Sequence, residues 1–182
     1  MVNLALAGLL TVAAVGIMRH GCRQRRGRYT AYDAIIEDAA RRQSLSPSLV
    51  RAVIRQESDF HYWRIGRAGE IGLMQVTGPA VADWERATGN RCRFRGKLFD
   101  ARLNIEVGTW YLARALRRWS RYRDAEVLAL AEYNAGYSRA RKWAPADPRE
   151  PALPAVAFPS TRTYISNVLA YREAFDKGKV PR

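Results

Sequence analysis

Glu57 stands where an apolar helical stripe (Leu49, Val50, Val53 and Ile54) gives way to a stretch carrying Gly66, Gly69 and Gly72. A carboxylate at the junction of an apolar helix and a loop can be half-buried. Desolvation raises a carboxyl pKa, and a raised pKa turns a glutamate into a general acid at neutral pH. Read alone, Glu57 is more simply a solvated residue near a helix end. Two later blocks offer it company. Gln75 lies 18 residues further on and closes Gly72-Leu73-Met74-Gln75. Alone, that block is a turn, two core residues and an exposed amide. Glu132-Tyr133-Asn134-Ala135-Gly136 brings a second carboxylate, a phenol and an amide. Alone, it is a helix C-terminus with Asn134 bonding freed carbonyls and Gly136 as the cap.

The composition bounds what these residues belong to. The chain has 182 residues, 48% hydrophobic and 26% charged, which suits one domain with a real core. Cys22 and Cys92 are too few for a disulfide scaffold and read as free thiols. The histidines, His20 and His61, form no cluster with metal-ligand spacing, so no metal is expected. No glycine-rich phosphate loop appears, so no nucleotide or other cofactor is expected. The formal charge is +14. The first 28 residues supply five arginines and no acid, leaving a net of +9 on the remaining 154. That excess suggests a polyanionic partner: nucleic acid, a phospholipid surface or an anionic wall polymer. Against nucleic acid, the arginines do not gather on one recognition helix and no reader motif appears.

The elements that must position these groups read as helical nearly throughout. Thr30 is placed to cap a helix running to about Gln43. Ser46-Pro47 opens the helix that ends near Glu57. Residues 60–72 read as a structured loop, Val76 to Ala87 as a short helix, and Asp100 as the cap of a long one. Ala125 to Asn134 is a compact apolar helix. Five prolines between 144 and 159 make an extended surface loop, and Ser160 opens a final helix. The predicted class is all-α, six to eight helices in one domain over 29–182.

Residues 1–28 are a different object. Leu4 to Met18 is an uncharged, apolar run broken only by Thr11, and Arg19, Arg23, Arg25, Arg26 and Arg28 follow it. Eighteen helical residues span about 27 Å, the short edge of what crosses a bilayer. The segment reads as a cleaved signal peptide or a membrane anchor, although no positive charge opens it and its basic flank favours the cytoplasmic side.

Taken together, order and spacing resemble the soluble-lytic-transglycosylase-like domains of the lysozyme-like superfamily, from about Ala34 to Phe175. The family's Glu-Ser-x-Phe stands as Glu57-Ser58-Asp59-Phe60, and its Gly-Leu-Met-Gln as Gly72 to Gln75. Asn104, Ile105, Gly108, Tyr111 and Leu112 follow its Asn-Ile block, Tyr133 to Gly136 its Tyr-Asn-Ala-Gly, and Thr161, Tyr164 and Ile165 its late block. The resemblance implies a single goose-type, lysozyme-like helical domain. It implies an enzyme that cleaves the β-1,4 bond between N-acetylmuramic acid and N-acetylglucosamine in peptidoglycan, closing a 1,6-anhydro ring. Glu57 would be the single catalytic acid and base. Substrate contacts would come from Ser58, Trp63, Met74, Gln75, Glu132, Tyr133, Asn134 and Tyr164. Asn104, Gly108 and Tyr111 would be structural. Expected partners are glycan strands, the membrane through the N-terminal segment, and an envelope-spanning or phage machinery, with no nucleic acid. The expected place is the cell envelope or periplasm, secreted or anchored through residues 1–18.

The departures are local. Gly66 stands for the usual Ser, Thr77 for Met, Glu132 for Ala or Ser, and Ser160 for Glu. Glu132 is therefore a candidate second carboxylate in the cleft, with an exposed helix glutamate as the plain alternative. A second acid would favour hydrolysis, as in a lysozyme-type muramidase. A peptidoglycan-binding module without catalysis is the third reading.

Overall fold

The computed structural model describes residues 27–179. The expected targeting segment lies almost wholly outside the described residues. By its internal contacts the chain divides at Met1–Asp33 and Ala34–Arg182, five residues beyond the expected boundary. Among the described residues, no helix is long and apolar enough to cross a membrane.

In the first unit, residues 27–30 form one helical turn. The Thr30 hydroxyl donates back to the Gly27 carbonyl at 3.3 Å, and Thr30 lies inside this turn and not at the expected start of the next helix, which begins at Asp33. Seven α-helices follow: α1 (Asp33–Gln43), α2 (Pro47–Ser58), α3 (Gly78–Thr88), α4 (Ala101–Arg118), α5 (Ala125–Ala135), α6 (Tyr137–Trp143) and α7 (Pro159–Asp176). Short 3-10 turns lie at Arg95–Phe99 and Leu153–Ala155. No strand is present among the described residues; isolated bridges join Ile65 to Ile71 and Ile71 to Val76.

Local chemistry accounts for the starts. Pro47 sits in the first turn of α2, where a missing N–H costs nothing, and Ser46 is extended before it. The Ser46 side chain makes no cap bond, so proline sets this start. Thr77 accepts from the Ala80 N–H at 3.3 Å and starts α3 two residues later than expected. Asp100 accepts from the Leu103 N–H at 2.9 Å and starts α4.

The core forms around α5. Leu128, Ala129, Leu130 and Ala131 are consecutive and all fully buried, so this helix is covered on every side. α4, α6 and α7 pack on it, and α2 packs along α7. Leu49, Val50, Val53 and Ile54 bury the α2 stripe, each worth about 1.5–3 kcal/mol of apolar transfer. The proline-rich stretch departs from expectation. Ala152 and Val156 are fully buried, and the Ala152 N–H donates to Asp124 Oδ2 at 2.9 Å. It is a strap fastened to the core, not a free surface loop.

Candidate active site

α2 ends just after Glu57 because the chain turns there. Asp59 and Phe60 have φ of 51° and 62°, and Asp59 is the left-handed cap whose N–H reaches the Arg55 carbonyl. Positive φ is unusual for a side chain as large as Phe. Burial offsets its cost: Phe60 is 1% exposed and meets the Phe175 ring edge-on at 6.4 Å. The turn leaves the Glu57 side chain at the wall of a cavity of about 430 Å³.

Tyr164, from α7, donates its hydroxyl to Glu57 Oε1 at 2.6 Å. It is the carboxyl's one hydrogen-bond partner among the described residues, so Oε2 remains for a ligand. Burial pushes the Glu57 carboxyl up to about 7. The Tyr164 bond opposes that rise, the negative charge of Glu70 adds to it, and Arg64 opposes it. Burial also holds the Tyr133 and Tyr164 phenols well above their usual range, so both are donors at neutral pH.

The remaining motif residues sew the Gly72–Gln75 turn to three helices. Ser58 Oγ, beside Glu57, donates to the Leu73 carbonyl at 2.8 Å. Tyr133, on α5, donates to the Met74 carbonyl at 2.8 Å. Asn104, on α4, accepts from the Met74 N–H and donates to the Ile71 and Leu98 carbonyls, each at 2.8 Å. Gly108 faces Met74 so closely that a Cβ there would stand 2.5 Å from its sulfur. Asn104 is fully buried, and truncation strips the Met74 N–H and the Leu98 carbonyl of these bonds, while the Ile71 carbonyl keeps the Val76 N–H. Each stripped group costs about 1–3 kcal/mol. Asn104→Ala is expected to lose about 3–5 kcal/mol in a urea titration; a loss below 1 kcal/mol would mean that water replaces all three bonds.

Gln75 has φ of 47°, and its amide nitrogen donates to the Gly72 and Arg64 carbonyls at 2.9 and 3.1 Å. Its side chain, with Thr77, Tyr133 and Asn134, lines both the Glu57 cavity and an adjoining one of about 200 Å³. Together they make one groove. Asn134 Oδ1 accepts from the buried Thr161 hydroxyl at 2.8 Å, joining α5 to the start of α7.

Glu57, Gln75, Tyr133, Asn134 and Tyr164 thus meet at one cavity. Four other expected contacts do not. Met74 is fully buried against Gly108 and is core. Ser58 is fully buried with its hydroxyl committed to backbone. Trp63 is 58% exposed and lines a shallow hollow beside the groove with His61, Arg64 and Ile65. Glu132 is 2% exposed; Arg118 pairs with Oε1 and the Trp119 indole N–H donates to Oε2 at 2.8 Å. Glu132 lines the adjoining cavity and not the Glu57 one, and both of its carboxylate oxygens are engaged by the fold. The carboxylate that does line the Glu57 cavity is Glu70, which sequence reasoning missed. Its only signal was Gly66, four residues earlier.

A family model described as Transglycosylase SLT domain matches residues 34–152. A soluble lytic murein transglycosylase of Salmonella typhimurium is 32% identical over 146 residues, 78% of this chain and 22% of that protein. The 70 kDa soluble lytic transglycosylase of Escherichia coli superposes with a TM-score of 0.73 at 27% identity, over 82% of this chain and 25% of that one. An inactive glutamate-to-glutamine mutant of the lytic transglycosylase Slt from Pseudomonas aeruginosa gives 0.71 at 27% identity, over 84% and 25%. The chain spans about a quarter of the length of each of these proteins. The family model covers well over half of the residues, and the helical architecture is shared with both solved structures. The chain belongs to the Transglycosylase SLT domain family and has its all-α, lysozyme-like fold.

Proposed function

We propose that this chain is a peptidoglycan lytic transglycosylase. Glu57 carries the reading: a half-buried carboxyl poised near 7, braced on one oxygen by Tyr164 and facing a polar groove with the other. As acid, it protonates the oxygen leaving the muramoyl C1 of the β-1,4 bond. As base, it then takes the proton of the C6 hydroxyl on the same sugar, which closes the 1,6-anhydro ring. Most glycosidases need a second carboxylate as nucleophile or water activator. Here the substrate supplies the nucleophile, and an intramolecular hydroxyl is worth about 7–11 kcal/mol over a bimolecular step. The relatives named lytic transglycosylases support the reading, as does a neighbour inactivated by a glutamate-to-glutamine change. The net charge of +14 suits an anionic wall polymer. Residues 1–28 are read as the segment that takes the domain, residues 29–182, to the envelope.

The test incubates the full chain with purified sacculi and identifies released muropeptides by mass spectrometry. Anhydromuramoyl ends are expected. Absence of any release by folded protein would leave a wall-binding module.

Tyr164→Phe separates bracing from mere packing. Removing the hydroxyl takes away a donor that favours ionised Glu57. Such a bond is worth about 1.5–3 kcal/mol, or roughly one to two pH units. The alkaline limb of the pH–rate profile is expected to move up by about one unit, with turnover lowered about tenfold. An unmoved limb would show that Tyr164 only fills space.

A further inference from the structure

Glu70 is the second carboxylate of the Glu57 cavity. The Ala68 N–H donates to its Oε2 at 3.1 Å, and the Gly66 N–H donates to its backbone carbonyl at 2.8 Å. No other hydrogen bond and no ion pair holds this side chain among the described residues. One oxygen is therefore held by the backbone, and the other has no protein partner among the described residues.

Gly66 gives Glu70 its place. A Cβ at 66 would collide with Glu70 Oε2 and stand 2.8 Å from Gln75 Oε1. Gly66 is not among the residues with positive φ, so glycine provides space here rather than backbone freedom. A side chain at 66 and the present position of the Glu70 carboxylate exclude each other. With Gly in place of the expected Ser at 66, the Glu70 carboxylate has the room to occupy its present position.

We propose that Glu70 is a second catalytic carboxylate that activates water in the Glu57 cavity, so that part of the cleavage ends in hydrolysis instead of ring closure. The inference rests on Glu57 being the acid. The bond from the muramoyl C1 to the bridging oxygen breaks, and Glu57 gives its proton to that oxygen. Glu70 takes a proton from water as the water oxygen bonds to C1. Solvent returns the proton from Glu70 to Glu57. One water is added across the bond, leaving a reducing end where ring closure would leave an anhydro end. Glu57 and Glu70 line one cavity, and inverting glycosidases likewise pair an acid with a second carboxylate that activates water. The C6 hydroxyl and the water then compete for one C1.

The experiment digests sacculi with the full chain as wild type, Glu70→Gln and Gly66→Ser. Products are reduced with borohydride, and reduced and anhydro ends are counted by mass spectrometry. The readout is their ratio, which is insensitive to the folded fraction. Wild type is expected to release both kinds. Glu70→Gln is expected to lower the ratio of reducing to anhydro ends at least about a hundredfold, the low side of what a general base supplies. Gly66→Ser, which keeps Glu70 but displaces its carboxylate, is expected to lower the ratio in the same direction. Anhydro ends alone from wild type, or one ratio in all three proteins, would overturn the role of Glu70 and leave the transglycosylase standing. Reducing ends alone from wild type, falling in both variants, would support Glu70 and overturn the transglycosylase. No release by any of them would overturn both.

Discussion

Glu57→Gln is expected to lose about 10³-fold in muropeptide release, within the 10²–10⁴ that general acid–base catalysis supplies, and to melt higher than wild type above neutral pH. The two effects share one cause. Burial holds the Glu57 carboxyl up at about 7, against 4.5 for a free one. The folded state therefore binds this proton more tightly than the unfolded state does. Below about 4.5 both states are protonated and the burial carries no electrostatic penalty. As pH rises, the unfolded chain ionises first, and wild-type stability falls until the folded pKa is passed. The full shift corresponds to about 3 kcal/mol. Gln does not titrate, and its amide oxygen can still accept from Tyr164. Melting curves at pH 4.5 and pH 8 make the check. The variant is expected to match wild type at the lower pH and to exceed it by roughly 6–12 °C at the higher one. An equal difference at both would mean that packing, not charge burial, separates the two proteins. Wild-type catalysis carries the complementary signature, because an acid must hold its proton. Its rate is expected to fall as pH rises through about 7, the range in which stability is lost.

Much of this was legible before any coordinates. Ser46-Pro47 and Asp100 marked the starts of α2 and α4 because each signal is a local property of two or three residues. α6 was not legible: over seven residues it buries only Ala140 and Trp143, one turn apart, which is too short for a period. The strap was misread because its prolines describe local backbone, while the burial of Ala152 and Val156 depends on what lies beneath. At the site, motif spacing brought Glu57, Gln75, Tyr133, Asn134 and Tyr164 to one cavity. It did not tell which side chains of an irregular turn face the groove. Met74 and Ser58 sit in the same blocks and point into the core. Glu70 was invisible for the opposite reason. A glutamate between Gly69 and Ile71 looks solvated, and only a missing side chain at 66 lets it reach the cavity.

Glu132→Ala is expected to unfold the protein more readily without changing what it makes. Glu132 drew notice as a spare acid near the cleft, yet both of its oxygens are engaged at 2% exposure. Truncation would leave the buried Trp119 indole N–H without its acceptor and Arg118 without its counter-charge. Arg118 also lies 4.4 Å over the Tyr137 ring, so the carboxylate anchors a junction of α4, α5 and α6. Breaking a buried pair costs about 3–5 kcal/mol. Arg118 is 29% exposed and can recover some hydration, which favours the lower end, near 3 kcal/mol. The melting temperature should fall by roughly 6–12 °C. Glu132→Gln keeps an oxygen for the indole and is expected to fall by less. Below the lowered transition, the ratio of reducing to anhydro ends should equal that of wild type in both variants. A changed ratio with an unchanged melting temperature would give Glu132 a part in the chemistry. The two acids then separate cleanly: one substitution moves the melting curve, and the other, Glu70→Gln, moves the products.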